Sequence, residues 1–590
     1  MSILVGEVIA ISGVKVTLKV FEQSNKDTLF YDGEKYKGIS IREYVSIQRG
    51  FRDIICIVEG EHLDEHRFIE EDERVYYVRK VELKPIGYYE NDKFFEGIKF
   101  LPMIKDNAYL LKEDKLKEIY SQGNNDQSFI IGELLKEEIP ISLPWQKLFN
   151  THIGIFGNTG SGKSNTLTKL FTTLFETKID KINGKSQFVL LDFNGEYTGE
   201  QLVSPEYKTV YKLNTKMQED RFPLAESEFW NTETLSILFQ ATQNTQKPFI
   251  NRIIAGRERF ATNPGSFLSY IKTTYELIFS AAAPKPDTLD LIREITDTLG
   301  NDALKVKLKT VSWNTKNSNF QCIYNGNITY LNSNGVGYQT VFETDVEGIR
   351  LPVLTAFDEF QIRCNIQLIR DLVNGYVQFE HIQPLLKRID SSLSSVKKVI
   401  TVDNQQPEAK TLTVISLRKC NQEVKKVIPL LIAKHYYHQH KDTVENPPRN
   451  TVHLIIDEAH NVLSQQSTRE NESWKDYRLE LFEEIIKEGR KFGMYLTLSS
   501  QRPADISATI MSQIHNFFIH RLVNDRDLFL LDNTISTLDS MSRSLIPNLS
   551  KGSCIVTGTS FDLPMLLQVN LLEREKQPDS EDVNLVELWK

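Results

Sequence analysis

The stretch HIGIFGNTGSGKSN, His152 to Asn165, constrains this chain more than any other. An apolar run of strand character meets a glycine-rich turn, and SNTLTKLFTTLFE then follows with helical spacing. Gly157 to Ser164 fit G-x-x-x-x-G-K-[ST]. Gly160 and Gly162 let backbone N–H groups turn inward around phosphate oxygens, and the positive end of the following helix adds to that field. Lys163 would neutralise β- and γ-phosphate oxygens, and the Ser164 hydroxyl would ligate Mg²⁺. The expected nucleotide cradle is therefore Gly157, Asn158, Thr159, Gly160, Ser161, Gly162, Lys163, Ser164 and Asn165.

The surrounding pattern extends this reading. SQFVLLDFNGEY is a second buried strand with a polar end, so strand, helix and strand follow one another as in a parallel sheet. From TLTVISL to GSCIVTG the alternation resumes. Between the two halves, TLSILFQAT, FINRIIAGRERF, FLSYIKTTYELIF and LDLIREITDTL read as helices, with a less regular patch, NFQCIYNGNITYLNSNGVGYQT, among them. The first ~100 residues alternate with period two, as in EVIAI-SG-VKVTLKV around a Ser12-Gly13 hairpin turn, RDIICIVEGE and RVYYVRKVEL. GIKFLPMIKDNAYLL continues that strand character. Several short strands with turn residues between them suggest a small closed barrel. The fold class is α/β: a phosphate-loop core with a parallel sheet, a small N-terminal β-barrel and a mostly helical insertion. The expected divisions are the barrel at 1–110, a connector at 111–150, the first part of the core at 151–220, the insertion at 221–405, the second part of the core at 406–565, and a charged C-terminal tail or arm at 566–590.

Composition narrows the function. The 590 residues carry a formal net charge of -9, with Lys+Arg 70 against Asp+Glu 79, so the chain is no polycation. Nucleic-acid binding would have to use a local basic surface such as a loop or channel wall. The five cysteines, Cys56, Cys322, Cys364, Cys420 and Cys554, are scattered and form no C-x-x-C pair. That argues against a disulfide frame or a zinc cluster and suits a reducing cytoplasm. MSILVGEVIAISG has no basic n-region and reads as no signal peptide. No apolar run reaches the roughly 18 residues expected of a membrane span. A cytoplasmic location is expected.

A nucleotide loop alone does not establish hydrolysis; TVHLIIDEAHN supplies the missing chemistry. Asp457 and Glu458 end a buried strand, at the edge where ligands bind in open α/β sheets. Asp457 would hold the Mg²⁺ shell, and Glu458 would polarise the attacking water. LPVLTAFDEF places Asp358-Glu359 after another apolar run, but within the insertion and without a small residue after the Glu. In LSSQRPADIS, Gln501 ends a third strand, in reach of the γ-phosphate or the water. EIIKEGRKFGMYLTL puts Arg490 at a helix end, where an Arg is ordinarily a dipole partner; in a ring it would also serve as a finger on a neighbour's γ-phosphate. His435, His438 and His440 of KHYYHQH read as a helix end rather than a metal site.

Together these segments resemble one family, the HerA-type ring ATPases of the FtsK/HerA superfamily of DNA pumps. HIGIFGNTGSGKSN resembles its phosphate-loop segment, and DFNGEY, Asp192 to Tyr197, its D-x-x-G-E-Y signature. LIIDEAHN and EGRKFGMYLTLSSQRPADI resemble its acid-pair strand and the helix and strand that follow, while SQIHNFFIHRLVNDRDL and LPMLLQV look like its closing strands. The resemblance implies a RecA-like P-loop ATPase core, a homo-hexamer with ATP between subunits, Arg490 acting in trans, double-stranded DNA in the pore, and a partner effector on the barrel. That partner is a NurA-type nuclease in archaea, and a nuclease or sirtuin-like NADase in bacterial phage-defence systems. Glu196 would orient a Mg²⁺-bound water or meet a neighbour's finger, with Asp192 near the nucleotide; equally, both acids would simply fix a turn around Gly195.

One departure concerns Thr151, before His152, where many members carry an Arg. Either Arg490 makes the trans contact alone or another Arg replaces it. Lys and Arg in NRIIAGRERF would face a pore or a solvated helix face. The leading expectation is an ATP hydrolase that translocates on double-stranded DNA and feeds or activates its effector. An ATP-gated scaffold that assembles an effector without processive movement is the alternative.

Overall fold

The computed structural model describes residues 3–31, 34–67, 75–91, 93–121, 128–404, 408–465, 472–580 and 585–589. The N-terminal strands that form the barrel are β1 (Leu4–Ser12), β2 (Lys15–Val20), β3 (Tyr44–Arg49), β4 (Arg52–Arg67), β5 (Val75–Glu90) and β6 (Asn107–Leu110). They pair antiparallel in the order β2-β1-β6-β3-β4-β5, and β5 pairs again with β2. This second pairing closes the expected barrel and removes its free edges. Alternate residues fill the inside: Val16 and Leu18 of β2 meet Val45, Ile47, Ile54 and Val81 there. The first hairpin turns on Gly13-Val14, one residue later than expected, because Gly13 supplies the left-handed φ of 63° and Ser12 still pairs with Lys15. Of GIKFLPMIKDNAYLL only Asn107–Leu110 is a strand in the ladder; Pro102, upstream of it, has no N–H to offer a neighbour.

The second sheet is the core of the molecule. Its strands are β7 (Ile130–Leu134), β8 (Pro140–Ser142), β9 (Ile153–Phe156), β10 (Ser186–Asp192), β11 (Lys208–Asn214), β12 (Leu412–Lys419), β13 (Thr451–Ile456), β14 (Met494–Ser500), β15 (Asn516–Ile519), β16 (Ser553–Gly558) and β17 (Met565–Val569). Among the described residues they form one 11-stranded sheet in the order β8-β7-β17-β16-β15-β9-β14-β13-β10-β12-β11. The strands from β15 to β11 run parallel, and those from β16 to β8 are added antiparallel. β7 and β8 fall within the expected connector, and β17 spans the expected boundary at 565, so the core sheet reaches further at both ends than the sequence divisions placed it.

The parallel strands are apolar on both sides because both faces are covered. β13 sends Leu454 and Ile456 to one face and Ile455 to the other; β10 likewise divides Val189 and Leu191 from Phe188 and Leu190. On the second face lies α1 (Lys163–Ile182), which buries Leu167, Leu170, Phe171, Leu174 and Phe175 along one stripe. Tyr44, Ile55 and Tyr89 of the barrel pack into that same cluster and seat the barrel on the core.

The insertion lies between β11 and β12. A short parallel pair, Phe222–Leu224 against Ile400–Val402, closes its base. It is mostly helical, including α2 (Gln246–Arg259) and α3 (Ala356–Val373). The irregular patch is a three-stranded antiparallel sheet of Ser312–Asn314, Asn319–Tyr324 and Asn327–Leu331. Phe229, Trp230 and Phe360 of the insertion share one cluster with Leu454 of the sheet and with Ile432 of α4 (Gln422–Thr443). Among the described residues no helix is long and apolar enough to cross a membrane.

Candidate active site

The phosphate loop joins β9 to α1 in the middle of the parallel strands. Gly160 and Gly162 take φ of 74° and 111°, so the left-handed conformations expected of them are present. Gly162 is also sterically required, since a Cβ there would stand 2.9 Å from Gly552 Cα. The loop is tied to its neighbours through the backbone: Gly157 N–H donates to Ser500 O at 3.3 Å, Asn158 N–H to Arg521 O at 2.8 Å, and Gly552 N–H to Ser161 O at 2.9 Å. Ser161 Oγ–H closes the turn on Asn158 O at 2.7 Å. Lys163 is buried, with Nζ 3.5 Å from the same carbonyl. Asn165 Nδ2–H reaches Asn570 O, just beyond β17, at 3.2 Å.

Adjacent strand tips meet this loop. β14 lies beside β9, so Gln501 emerges next to the cradle, and the Thr159 hydroxyl donates to Gln501 Oε1 at 2.5 Å. β13 lies beyond β14 and delivers Asp457 and Glu458. The tip is threaded between its neighbours, with Asp457 N–H on Leu191 O at 3.2 Å and Ala459 N–H on Ser499 O at 2.8 Å. Glu458 takes a left-handed φ of 50°, rare for a residue with a side chain, and its N–H donates to Asp457 Oδ1 at 3.0 Å. This twist at the strand end turns the two carboxyls to different places.

β10 contributes Asp192, whose role is visible in its partners. Oδ1 accepts from Gly195 N–H at 2.7 Å and Glu196 N–H at 3.1 Å, and Oδ2 accepts from Tyr197 N–H at 3.1 Å. Asp192 thus fixes the turn, one of the two readings the sequence left open. The turn in turn presents Glu196 and Tyr197. Glu196 Oε1 accepts from Asn194 Nδ2–H at 3.1 Å, while Oε2 is buried and unbonded. The Tyr197 hydroxyl is buried against Ser164 without a well-formed hydrogen bond, in the field of Asp457, Glu196 and Asp192.

These acids stand close enough to oppose one another's ionisation. Burial, then Glu196 and Glu458, push the Asp457 carboxyl up to about 8. Burial also raises Glu458, with Glu196 adding to the effect and Lys163 opposing it. Asp457 Oδ2 and Glu196 Oε2 lack hydrogen bonds although buried. Bare carboxylate oxygens beside a serine at a helix N-terminus are what a hard divalent cation would take up. Among the described residues no three His, Cys, Asp or Glu side chains form a cation cage of their own. Mg²⁺ does not need one, because it keeps waters and substrate phosphates in its shell. Ser164 and Asp457 therefore fit the part foreseen for them.

Arg490 lies elsewhere. It ends α5 (Glu472–Phe492) just before β14 begins at Met494, whereas Gln501 follows the end of β14. A strand of that length separates them by roughly 20 Å. Arg490 Nη1 lies 3.3 Å from His515 Nε2, and the His515 ring lies tilted 5.7 Å from that of His152. Arg490 is thus on the sheet edge opposite the phosphate loop, beside Thr151, the position of the missing family arginine. Thr151 is buried, its hydroxyl donating to Leu148 O at 2.8 Å and accepting from Asn516 Nδ2–H at 2.6 Å.

The competing features resolve into structure. Asp358 sits in the first turn of α3, where Thr355 N–H donates to its Oδ2 at 2.9 Å and its own N–H donates to Thr355 Oγ1 at 3.2 Å. Glu359 pairs with Arg257 and Arg363. His435 and His440 diverge, one to Glu228 and the other to Phe492 O. In α2, Arg252 is paired with Asp371, and Arg257 with Glu226 as well as Glu359.

Three residues near the site were not singled out in the sequence: Tyr197, His460 and His520. His520 lies beneath the loop, fully buried, with Nδ1 2.9 Å from Ser553 O, and a Cβ on Gly157 would meet its Cβ at 2.5 Å. Tyr197 and His460 belong to quoted motifs, DFNGEY and DEAHN, which was the available signal; nothing local marks His520.

Comparison with known proteins agrees with this geometry. Residues 129–329 match the family model described as the central domain of the helicase HerA. Over that segment the chain resembles the HerA helicases. A probable helicase of Methanocaldococcus jannaschii is 24% identical over 470 residues, 79% of this chain and 74% of its own length. The DNA double-strand break repair helicase HerA of Sulfurisphaera tokodaii is 22% identical over 498 residues, 83% and 77% of the two chains. Among solved structures, VirB4 of Thermoanaerobacter pseudethanolicus aligns at 12% identity with a TM-score of 0.42, covering 77% of this chain and 99% of its own. The resemblance stated from the motifs is borne out, and the HerA-like segment begins at β7, where the core sheet begins.

Proposed function

We propose that this HerA-like ATPase works as a homo-hexameric translocase on double-stranded DNA, with ATP and Mg²⁺ at each subunit junction. One observation carries the reading: the cradle, the acid pair and Gln501 converge on one sheet edge, while Arg490 stands on the other, out of reach of its own nucleotide. A single chain therefore holds two halves of two different sites. Lys163 and the loop N–H groups bind the phosphates, Glu458 orients and polarises the water, and Gln501 reads the γ-phosphate. Arg490 of the adjacent subunit stabilises the charge that develops. Bound Mg²⁺, held by Ser164 and Asp457, would neutralise phosphate charge. The HerA-named relatives are helicases of DNA double-strand break repair, which supports duplex DNA as the track.

The barrel is the proposed docking platform for an effector, a nuclease or NADase. Phe51, at its β3–β4 turn, is fully exposed, and Leu63 and Tyr77 are exposed where β4 and β5 run on as a ribbon. Subunit mixing tests the central reading. Arg490→Ala and Glu458→Ala chains should each be inactive alone yet regain DNA-stimulated ATP turnover when co-assembled, because some junctions receive both intact halves. Mixed rings that stay inactive, or turnover indifferent to duplex DNA, would refute the trans site or the translocase respectively.

A further inference from the structure

Arg490 leans on a neutral partner. Its side chain is exposed at the end of α5, and among the described residues it meets an imidazole rather than a carboxylate: Nη1 donates to His515 Nε2 at 3.3 Å. A guanidinium has only N–H groups to offer, so Nε2 is the acceptor and the ring proton sits on Nδ1. Burial, and then the charge of Arg490, lower His515 from the usual imidazole range, so the ring is neutral near pH 7 and keeps that lone pair. The imidazole is itself anchored. His515 N–H donates to His152 O at the foot of β9 at 3.1 Å, and its carbonyl accepts from Thr559 N–H, just past β16, at 2.9 Å. Its ring lies against that of His152, whose Nδ1 accepts the Leu496 N–H of β14 at 3.0 Å. Three strands thus fix the acceptor, while the arginine reaches it from a helix end.

We propose that His515 is a positioning residue for Arg490, aiming the guanidinium across the subunit junction without cancelling its charge. The proposal rests on Arg490 being the group that completes the adjacent subunit's site. A carboxylate in this place would neutralise the arginine and compete with a γ-phosphate for it. A neutral nitrogen gives direction through one hydrogen bond that a phosphate oxygen, being charged, readily replaces. Without such a partner the long side chain would have to give up its rotamer freedom at the moment of reaction; His515 removes part of that freedom beforehand. Thr151, beside the pair, carries no charge and turns its hydroxyl inward to Leu148 O, so it offers no cation to share the task. No bond is made or broken; one hydrogen bond of Arg490 passes from the imidazole to the phosphate.

The test uses steady-state ATP turnover of the full-length assembled protein. His515→Ala should lower kcat about tenfold, well short of the roughly 10³–10⁵-fold worth of a whole arginine finger, with KM changed by less than about twofold. His515→Gln puts an amide oxygen near the place of Nε2 and should recover most of the loss. His515→Asn, whose amide reaches only as far as Nδ1, should not. Arg490→Ala combined with His515→Ala should be no slower than Arg490→Ala alone, because an absent guanidinium cannot be misaimed. Subunit mixing separates aim across the junction from an effect on the chain's own phosphate loop. Co-assembly with an equal amount of Glu458→Ala chains should raise turnover per His515→Ala chain about fivefold, since half of its sites then meet an intact Arg490–His515 edge. An unchanged kcat in His515→Ala, equal rates in the Gln and Asn variants, additive losses in the double variant, or no gain on mixing would each overturn the proposal. If His515→Ala fails to assemble, the Gln and Asn variants decide it, and His515→Asn takes its place in the mixing. Arg490→Ala mixed with Glu458→Ala separates the two layers. No restored turnover there would refute the trans site itself, whereas restoration there beside no gain for the His515 variant would refute only the role of His515.

Discussion

Replacing Asp192 with Asn distinguishes a residue that builds the site from one that touches its ligand. The carboxylate accepts three backbone N–H groups, from Gly195, Glu196 and Tyr197. An Asn keeps an oxygen for the first two but turns an NH₂ toward the Tyr197 N–H, donor against donor. A hydrogen bond to a charged group is worth ~1.5–3 kcal/mol, roughly twice its neutral counterpart. The variant loses one such bond and weakens two. Part of that loss is offset, because burial disfavours the charged carboxyl and raises Asp192 above the usual carboxylate range. The net cost at the turn is about 2 kcal/mol, or about a 30-fold change in the local opening equilibrium. Hydrogen exchange on the segment 193–199 reads this directly: the amides of Gly195, Glu196 and Tyr197 should exchange about 30-fold faster, while the remainder of β10 is unaffected. ATP turnover should fall as Glu196 and Tyr197 lose their positions, with nucleotide binding kept. Unchanged exchange together with weakened binding would show that Asp192 acts on the ligand, and the turn assignment would be wrong.

Two further outcomes follow from the geometry. Glu359→Ala and Asp358→Ala should leave ATP turnover intact, since both side chains serve α3; the second should cost ~1 kcal/mol of local helix stability through the lost cap, measurable by exchange at 356–360, and a collapse of turnover would restore them as an acid pair. His453 is fully buried and stacked 4.5 Å from Phe188, and burial pushes its imidazole down to about 3. The unfolded chain takes up that proton below about 6.5 and the folded one does not, so this contribution is intact at neutral pH. It declines as pH falls from about 6.5 toward 3, by on the order of 5 kcal/mol at most. His453→Phe should keep the stack and flatten that decline in a denaturation series from pH 7.5 to 5; an equal decline in both proteins would place the acid sensitivity elsewhere.

What was readable in advance has a physical pattern. The phosphate loop, Asp457-Glu458 and Gln501 each sit at a strand-to-turn junction, and that junction is written in a few consecutive residues. The decoy was also decidable locally: Thr355-x-x-Asp358 is a helix-capping signature, which assigns Asp358 to a helix start. Partnerships across the sheet were not readable. His460 meets Ser500 only because β13 and β14 are neighbours, and His520 underlies the loop only because β15 flanks β9. β7 and β8 escaped the core for a related reason. Short antiparallel strands from distant parts of a chain carry no periodicity of their own that says which sheet they join.

The pairing of β7 with β17 brings the chain's way into the core and its way out side by side. Asn570, just past β17, holds both Ile131 of β7 and Asn165 of the phosphate helix. A pull on the barrel that reaches β7 acts on this pair. It arrives at a seam one side chain away from the nucleotide, so a load applied at the cap and the chemistry beneath it would share one hinge.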